Sequence, residues 1–422
     1  MRYDVVIIGA GPAGNWAAGR LAAAGLSVAV VEEHRQVGEP RFCTGILGAK
    51  AFEEYALPRG PIQRALSSAT IYSPSGRSAW IGRETPQAYL MDRALFDQAL
   101  AKRAAKSGAE YWLGCRAEQI AIDPRDVRVT VRRDDRRAAL RAEACLLATG
   151  SNHRLHAMIG LPAPAEFLDC VQAEYAAASL SEVELFVGRS VAPGSFGWAA
   201  PVDERRARVG VCVRGSALPY FNRLTASPAL AGRLGGPLTP LRKRRVPIAP
   251  AAACVADRAM LVGDAAGQVK PLTGGGIYYS IRCADLAADA LIDAAAAGDF
   301  SRRRLGRYER AWRHAIGRDL AFGRYARRLL AWSGDRQLDA LVGLCRTDEV
   351  QRVIARSADF DAHHRFFIEL FRLASFWTTL AGGGSRRRTD ARLQAWGPPA
   401  GEERDHRDAV GAASDVPAAI QT

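Results

Sequence analysis

The sequence contains no run of about 18 apolar residues, which excludes a helix able to cross a bilayer on its own. Its opening, MRYDVVIIGAG, passes straight into a strand-like run without the charged, apolar and small-residue zones of a secretory leader, so a cytoplasmic location is expected. The eight cysteines include no C-x-x-C pair and no His/Cys cluster at zinc spacing. Neither a disulfide framework nor a metal site is therefore expected, and most thiols should be reduced, several of them simply buried. Nucleic-acid recognition motifs are also missing, so the net charge of +14 does not by itself point to DNA or RNA. An arginine bias tolerated on a solvated surface is the expected source of that charge.

What is present starts at residue 3. In YDVVIIGAGPAGNWAAGRLAAAGLSVAVVEEH, a buried-strand run from Val5 to Ile8 turns through Gly9, Gly11 and Gly14 into an alanine-rich helix. A second strand, Ser27 to Val31, ends at Glu32, 18 residues beyond Gly14. Strand, G-x-G-x-x-G, helix and acid in this order predict a dinucleotide site on a Rossmann βαβ unit. Gly9 permits the tight turn, Gly11 with Ala13 lets a pyrophosphate approach the helix amides, and Gly14 lets helix and strand pack closely. Glu32 is expected to accept hydrogen bonds from the adenosine ribose, while Glu33 stays solvated.

Two later segments read as short apolar strands that end in glycine: CLLATG, Cys145 to Gly150, and RAMLVGDAAG, Arg258 to Gly267. With the amino-terminal motif they resemble the large flavoprotein fold of glutathione reductase and p-hydroxybenzoate hydroxylase. The resemblance implies FAD, with Gly150 beside it and the Asp264 carboxylate on its ribityl chain. Between the segments, Arg93 to Lys106 reads as a helix stopped by Gly108, followed by a strand and a meander. Main-chain groups near Ala117 would face the adenine. Arg93 either reaches the cofactor or remains a surface arginine in the first turn of its helix. PLTGGGIYYS, 271 to 280, falls where this fold begins a helix aimed at the flavin ring. Gly275, Gly276 and Ile277 would form a floor whose amides stabilise the reduced ring, and side chains there would collide with it.

Three motifs in order, GEPRFCTG at 38 to 45, FGWAAP at 196 to 201 and GDAAGQVKPLTGGGIYYSI from Gly263, are similar to those of the geranylgeranyl reductase family of FAD enzymes. That family saturates isoprenoid double bonds. The likeness extends over residues 1 to about 300 and carries over a flavin-side P-x-x-C-x-G loop onto Pro40, Cys43 and Gly45. It also places Phe196, Trp198 and Pro201 along a substrate channel, with Ala200 where the family has a second aromatic ring. It implies a reductase that passes hydride from flavin N5 to a carbon–carbon double bond of a long polyprenyl lipid. The proton donor is open among Cys43, Tyr278, Tyr279 and water. No second G-x-G-x-x-G unit appears, so the electron donor, NAD(P)H or a ferredoxin-like protein, would dock transiently. A flavin monooxygenase or halogenase on the same fold is the alternative, and FAD binding without turnover a further one.

The expected fold class is thus α/β: a glutathione-reductase-type FAD-binding Rossmann domain, a discontinuous second β-sheet substrate domain and C-terminal helices. The FAD-binding domain would take 1–60, 93–150 and 251–300, and the substrate domain 61–92 and 151–250. In the helical region, 301–381, Leu305, Tyr308, Trp312, Ile316 and Leu320 recur at helical spacing, while Arg303, Arg307, Arg310, His314 and Arg318 occupy another face. That basic face suits anionic headgroups or a diphosphate. The aromatic stretch 363 to 380 carries Glu369 and Arg372 and is either core packing, a cap on a lipid channel or a peripheral membrane contact. Residues 382–422 read as a disordered tail. The sequence leaves the oligomeric state open.

Overall fold

In the computed structural model, which describes residues 1–380, β1 (Arg2–Ile8) lies at the centre of the first sheet. It pairs in parallel with β2 (Val28–Glu32) on one side and with the strand Arg136–Leu147 on the other. Glu110–Leu113 and Ala259–Leu261 extend the sheet, again in parallel. Parallel strands need crossover helices, which cover both faces of the sheet and leave its middle dry. Val5, Val6 and Ile7 accordingly have no exposed surface, and Val28 to Val31 have at most 1%. Two antiparallel strands, Val127–Arg133 and Arg116–Ile122, hang from the first half of Arg136–Leu147 as the expected meander.

Helix α1 (Pro12–Ala23) owes its close packing to small residues. A Cβ on Gly19 would stand 3.6 Å from the Ala104 backbone of the helix Arg93–Lys106, an ordinary contact distance. Asp92 caps that second helix through its carboxylate, accepting from the amides of Ala94 and Leu95 at 2.9 and 3.1 Å.

The second sheet takes Ser68–Tyr72 and Ser78–Gly82 together with strands between Phe167 and Pro247. Ile62–Leu66 and Ala88–Met91 instead join Ile46–Gly48 in a small third sheet, which ties the Cys43 loop to the segment that enters the second sheet. Strands Phe167–Ala177 and Arg206–Val213 set Cys170 opposite Cys212, and the two form a disulfide with their Cα atoms 4.1 Å apart. This corrects the expectation that no cysteine pair would form. The partners are 42 residues apart in sequence, and only strand register brings them together.

Helix Arg302–Trp332 buries Leu305, Tyr308, Trp312, Ile316 and Leu320, as their spacing predicts. Part of its basic face turns onto the preceding helix, where Arg304 and Arg307 both pair with Asp293 at 2.7 Å. No helix among the described residues is long and apolar enough to cross a membrane. The tail expected at 382–422 lies outside the described residues.

Candidate active site

A single cavity of about 1080 Å³ runs from the turn after β1 to the C-terminal helices. Its first end is built by the glycine motif. Gly9 has φ +105°, and a methyl group there or at Gly14 would overlap a backbone oxygen, of Ala148 and of Gly9 respectively. Gly11 differs: a Cβ on it meets no protein atom within 4 Å, because the position faces the cavity. Two glycines thus serve the fold, and the third leaves room for a ligand. Glu32 accepts from the Ala10 amide at 2.9 Å and from the His34 amide at 3.0 Å, which holds the turn against the end of β2.

The distant glycine-rich segments converge on the same end. Asp264 stands on a short turn after Ala259–Leu261, one-fifth exposed, with Arg244 at 3.4 Å. A Cβ on Gly276 would come within 2.8 Å of Asp264 Oδ1, and one on Gly275 within 2.8 Å of Lys270 Cε. Gly274 has φ +70°. Each of the three glycines therefore has a reason inside the protein itself, beyond the expected clearance for a flat ring. Gly276 begins the 21-residue helix Ile277–Ala297 with no side-chain cap, so amides of its first turn are unclaimed by any cap at the cavity wall.

Residues expected from the sequence to hold an extended dinucleotide thus surround one space. Gly9, Gly11, Ala13, Glu32, Ala117, Gly150, Asp264, Gly275, Gly276 and Ile277 line it, and Gly14 packs just behind. The open position at Gly11, the uncapped helix start and the partly exposed Asp264 fit FAD.

Cys43 and Gly45 line the middle of the cavity. The Gly45 amide donates to Cys43 Sγ at 3.3 Å, and Arg208 donates to the Thr44 and Met91 carbonyl oxygens at 2.8 and 3.0 Å. Arg93 is half-buried next to the Cys43 thiol, and its Nη2 donates to both Asp97 carboxylate oxygens at 2.9 and 3.1 Å. Burial opposes the Arg93 charge, but Asp97 and then Cys43 outweigh it and hold the guanidinium above its ordinary range. Its Nε lies buried without a partner. Arg93 is therefore a cavity residue rather than a surface one.

Phe196 and Trp198 also line the cavity, with ring centroids 5.9 Å apart. Pro201 does not: it is buried at the strand end, away from the cavity wall. Tyr278 and Tyr279 are likewise absent from the lining. Successive helix residues point about 100° apart, so with Ile277 on the cavity both rings turn elsewhere. Tyr278 donates to Glu54 at 2.9 Å, and Tyr279 is 1% exposed in the core. Burial raises the pKa of both phenols, which makes them poorer acids still.

The apolar end carries the stretch that the sequence left open between core packing, a channel cap and a membrane contact. Phe366, Phe367, Phe371 and Phe376 face the cavity. Lys270, 5% exposed, binds the Asp361 carboxylate at 2.8 Å and the Phe360 carbonyl at 2.9 Å, and so fastens the C-terminal helices to the loop before Gly274. Alternation in FGWAAP and helical spacing in 363 to 380 were readable signals for lining residues. The Lys270–Asp361 pair left none, because it joins positions 91 residues apart.

Two histidines lie beside the Asp264 end. Burial, and then its neighbour His153, push His156 down to about 4. An unfolded histidine titrates near pH 6.5, so His156 destabilises the fold as pH falls below that value until the native state is itself protonated near 4. The expected loss is at most about 3 kcal/mol. Urea unfolding at pH 7 and at pH 4.5 should show a smaller acid loss in His156→Gln than in wild type; equal losses would contradict this.

Sheet order, turn chemistry and cavity together define a dinucleotide-binding flavoprotein, an FAD-dependent oxidoreductase. Residues 3–187 match the pyridine nucleotide-disulphide oxidoreductase family description. The crystal structure of a geranylgeranyl bacteriochlorophyll reductase-like protein from Thermoplasma acidophilum superposes with a TM-score of 0.81 at 24% identity, covering 89% of this chain and 98% of that one. A p-nitrophenol 4-monooxygenase from Pseudomonas putida shares the fold with a TM-score of 0.67 at 20% identity, covering 91% and 100%. Digeranylgeranylglycerophospholipid reductase 2 of Methanopyrus kandleri is 32% identical over 372 residues, 84% of this chain and 93% of that protein. The chain belongs to the geranylgeranyl reductase family of FAD-dependent oxidoreductases.

Proposed function

We propose that the protein reduces carbon–carbon double bonds of a geranylgeranyl-type chain carried on a lipid or isoprenoid. The observation that supports this most is the continuity of one cavity, lined at once by the expected dinucleotide residues and by Trp198 and the C-terminal phenylalanines. A long apolar chain fits such a space better than a compact polar substrate does. FAD held by Gly11, Glu32, Asp264 and the Gly276 amides supplies the two-electron chemistry.

The chain's own residues then perform the rest. Phe196 and Trp198 align the alkene and keep water from it, because apolar walls favour the prenyl chain over solvent. Cys43 Sγ holds the proton destined for the second carbon; it is the one residue among the three proposed donors that lines the cavity. Arg93 and Arg208 fix the loop that carries it. Donor docking by NAD(P)H or a ferredoxin-like protein is transient in this reading. The division into an FAD-binding domain of 1–60, 93–150 and 251–300, a substrate domain of 61–92 and 151–250, and C-terminal helices is part of the same proposal.

Substrate entry from a bilayer surface completes it. Exposed Tyr325 and Trp377 both pack on Phe371, at 5.7 and 5.8 Å between centroids, and Phe371 lines the cavity. Aromatic side chains of this amphipathic kind favour membrane interfaces. The test is mass spectrometry of a digeranylgeranyl glycerol lipid incubated with the FAD-loaded protein and dithionite. Products heavier by successive hydrogen pairs are expected, and an unchanged lipid under reducing, oxygen-free conditions would count against the reading.

A further inference from the structure

Arg327 sits on the cavity wall, 6% exposed, near the end of helix Arg302–Trp332. Its Nη1 donates to the Pro271 carbonyl oxygen at 3.2 Å and its Nη2 to the Gly194 carbonyl oxygen at 3.0 Å. A guanidinium offers five N–H donors, and among the described residues none of those of Arg327 forms an ion pair with a carboxylate. Buried charges are ordinarily paired, since desolvation disfavours a lone ion.

The surroundings deepen that excess. Ser195, next to Gly194, also lines the cavity, and its buried Oγ has no partner. Behind Arg327, Arg214 and Arg324 share one carboxylate, Glu166, at 2.6 and 3.3 Å. Three guanidinium groups therefore face one acid, an excess of two positive charges. Burial, and then Arg214, bring the Arg327 pKa down to about 10 against the weaker pull of Glu166, so the group stays charged at neutral pH with no carboxylate bonded to it. A structural staple between two carbonyl groups would need neither that charge nor a free hydroxyl beside it.

We propose that Arg327 and Ser195, backed by Arg324 and Arg214, bind a phosphate or diphosphate ester, the charged head of the prenyl substrate. The proposal rests on the prenyl-reductase reading above. A phosphate ester carries about −1.5 to −2 charges at neutral pH, which matches the local excess, and a guanidinium fork suits its oxygens. An inorganic phosphate or pyrophosphate shares this chemistry but lacks a tail for the apolar end of the cavity.

Binding to the FAD-loaded protein is measured by tryptophan fluorescence with geranylgeranyl diphosphate, geranylgeraniol and inorganic pyrophosphate. Wild type should prefer the prenyl diphosphate over both. In Arg327→Met the preference for diphosphate over alcohol should fall by about 10- to 150-fold, the range expected for a charge-assisted hydrogen bond, and Arg327→Lys should recover part of it. Unchanged preference in Arg327→Met, or equal weakening of both prenyl ligands, would overturn the assignment. Pyrophosphate binding as tightly as the prenyl ester would overturn the chain-linked head in favour of a free anion. Turnover of geranylgeraniol by wild type reports on the reductase reading alone, so that failure is read separately from loss of charge preference. Retained flavin absorbance in each variant establishes that it has folded.

Discussion

Gly14→Ala is expected to yield a protein that is both less stable and nearly free of flavin. The added methyl would overlap the Gly9 carbonyl oxygen and approach Ala148 Cβ at 3.3 Å, and backbone cannot rotate away as a side chain can. Helix α1 must move off β1, at an overpacking cost of roughly 1–3 kcal/mol or more. The gain of about 1 kcal/mol from replacing glycine in a helix offsets only part of it. Displacement carries the helix amides away from the pyrophosphate, so FAD should dissociate during desalting. Gly11→Ala separates the two effects. Its methyl meets no protein atom, and the apoprotein should unfold at the wild-type urea concentration while FAD is still lost. Wild-type FAD affinity in Gly11→Ala would mean that the cofactor does not approach this turn.

Asp361→Ala should cost about 3–5 kcal/mol, because it strands the Lys270 ammonium in a site only 5% exposed. Lys270 contacts the Phe360 carbonyl and lies 4.6 Å from the Phe360 ring, yet neither replaces a carboxylate. The loop from Lys270 to Gly276 would shift with it, since Gly275 packs against the lysine side chain. Urea unfolding gives the energy, and hydrogen exchange over 359–380 gives the place, with faster exchange expected throughout the strap. Lys270→Met combined with Asp361→Leu should recover much of the loss, as apolar pairs of similar volume can replace buried ion pairs. An unchanged urea midpoint in Asp361→Ala would contradict a dry, load-sharing pair.

The amino-terminal half of this organisation was legible because its physics is local. Gly9, Gly11, Gly14 and Glu32 are fixed by one turn between β1, α1 and β2, and their roles follow from spacing. Asp264 and the triple glycine were placed by resemblance, and the structure adds why glycine is required: Gly275 and Gly276 abut Lys270 and Asp264. Tyr278 and Tyr279, two of the open candidates for the proton donor, lie off the cavity because helix rotation decides the direction of a side chain, which residue type does not reveal. Pro201 failed for a related reason, since the strand leaves the cavity before reaching it. The Cys170–Cys212 disulfide, the Arg93–Asp97 pair beside Cys43, and the Lys270–Asp361 link depend on register or on contacts across the chain. Arg327 looked like one more member of a basic helix, and only burial distinguishes it from its neighbours.

In the proposed reaction a prenyl double bond, and not oxygen, takes the electrons from the reduced cofactor. The direct measurement is anaerobic stopped-flow absorbance: the FAD-loaded protein is reduced with dithionite, mixed with a geranylgeranyl lipid, and followed as the oxidised flavin band returns. Wild type should reoxidise with formation of the saturated chain. Trp198→Ala should bind FAD normally but reoxidise about 100-fold more slowly, the effect expected when a reacting bond is misplaced by about 1 Å. Reoxidation that occurs only when oxygen is admitted, with no hydrogen added to the lipid, would contradict the claim and favour the monooxygenase chemistry that this fold also supports.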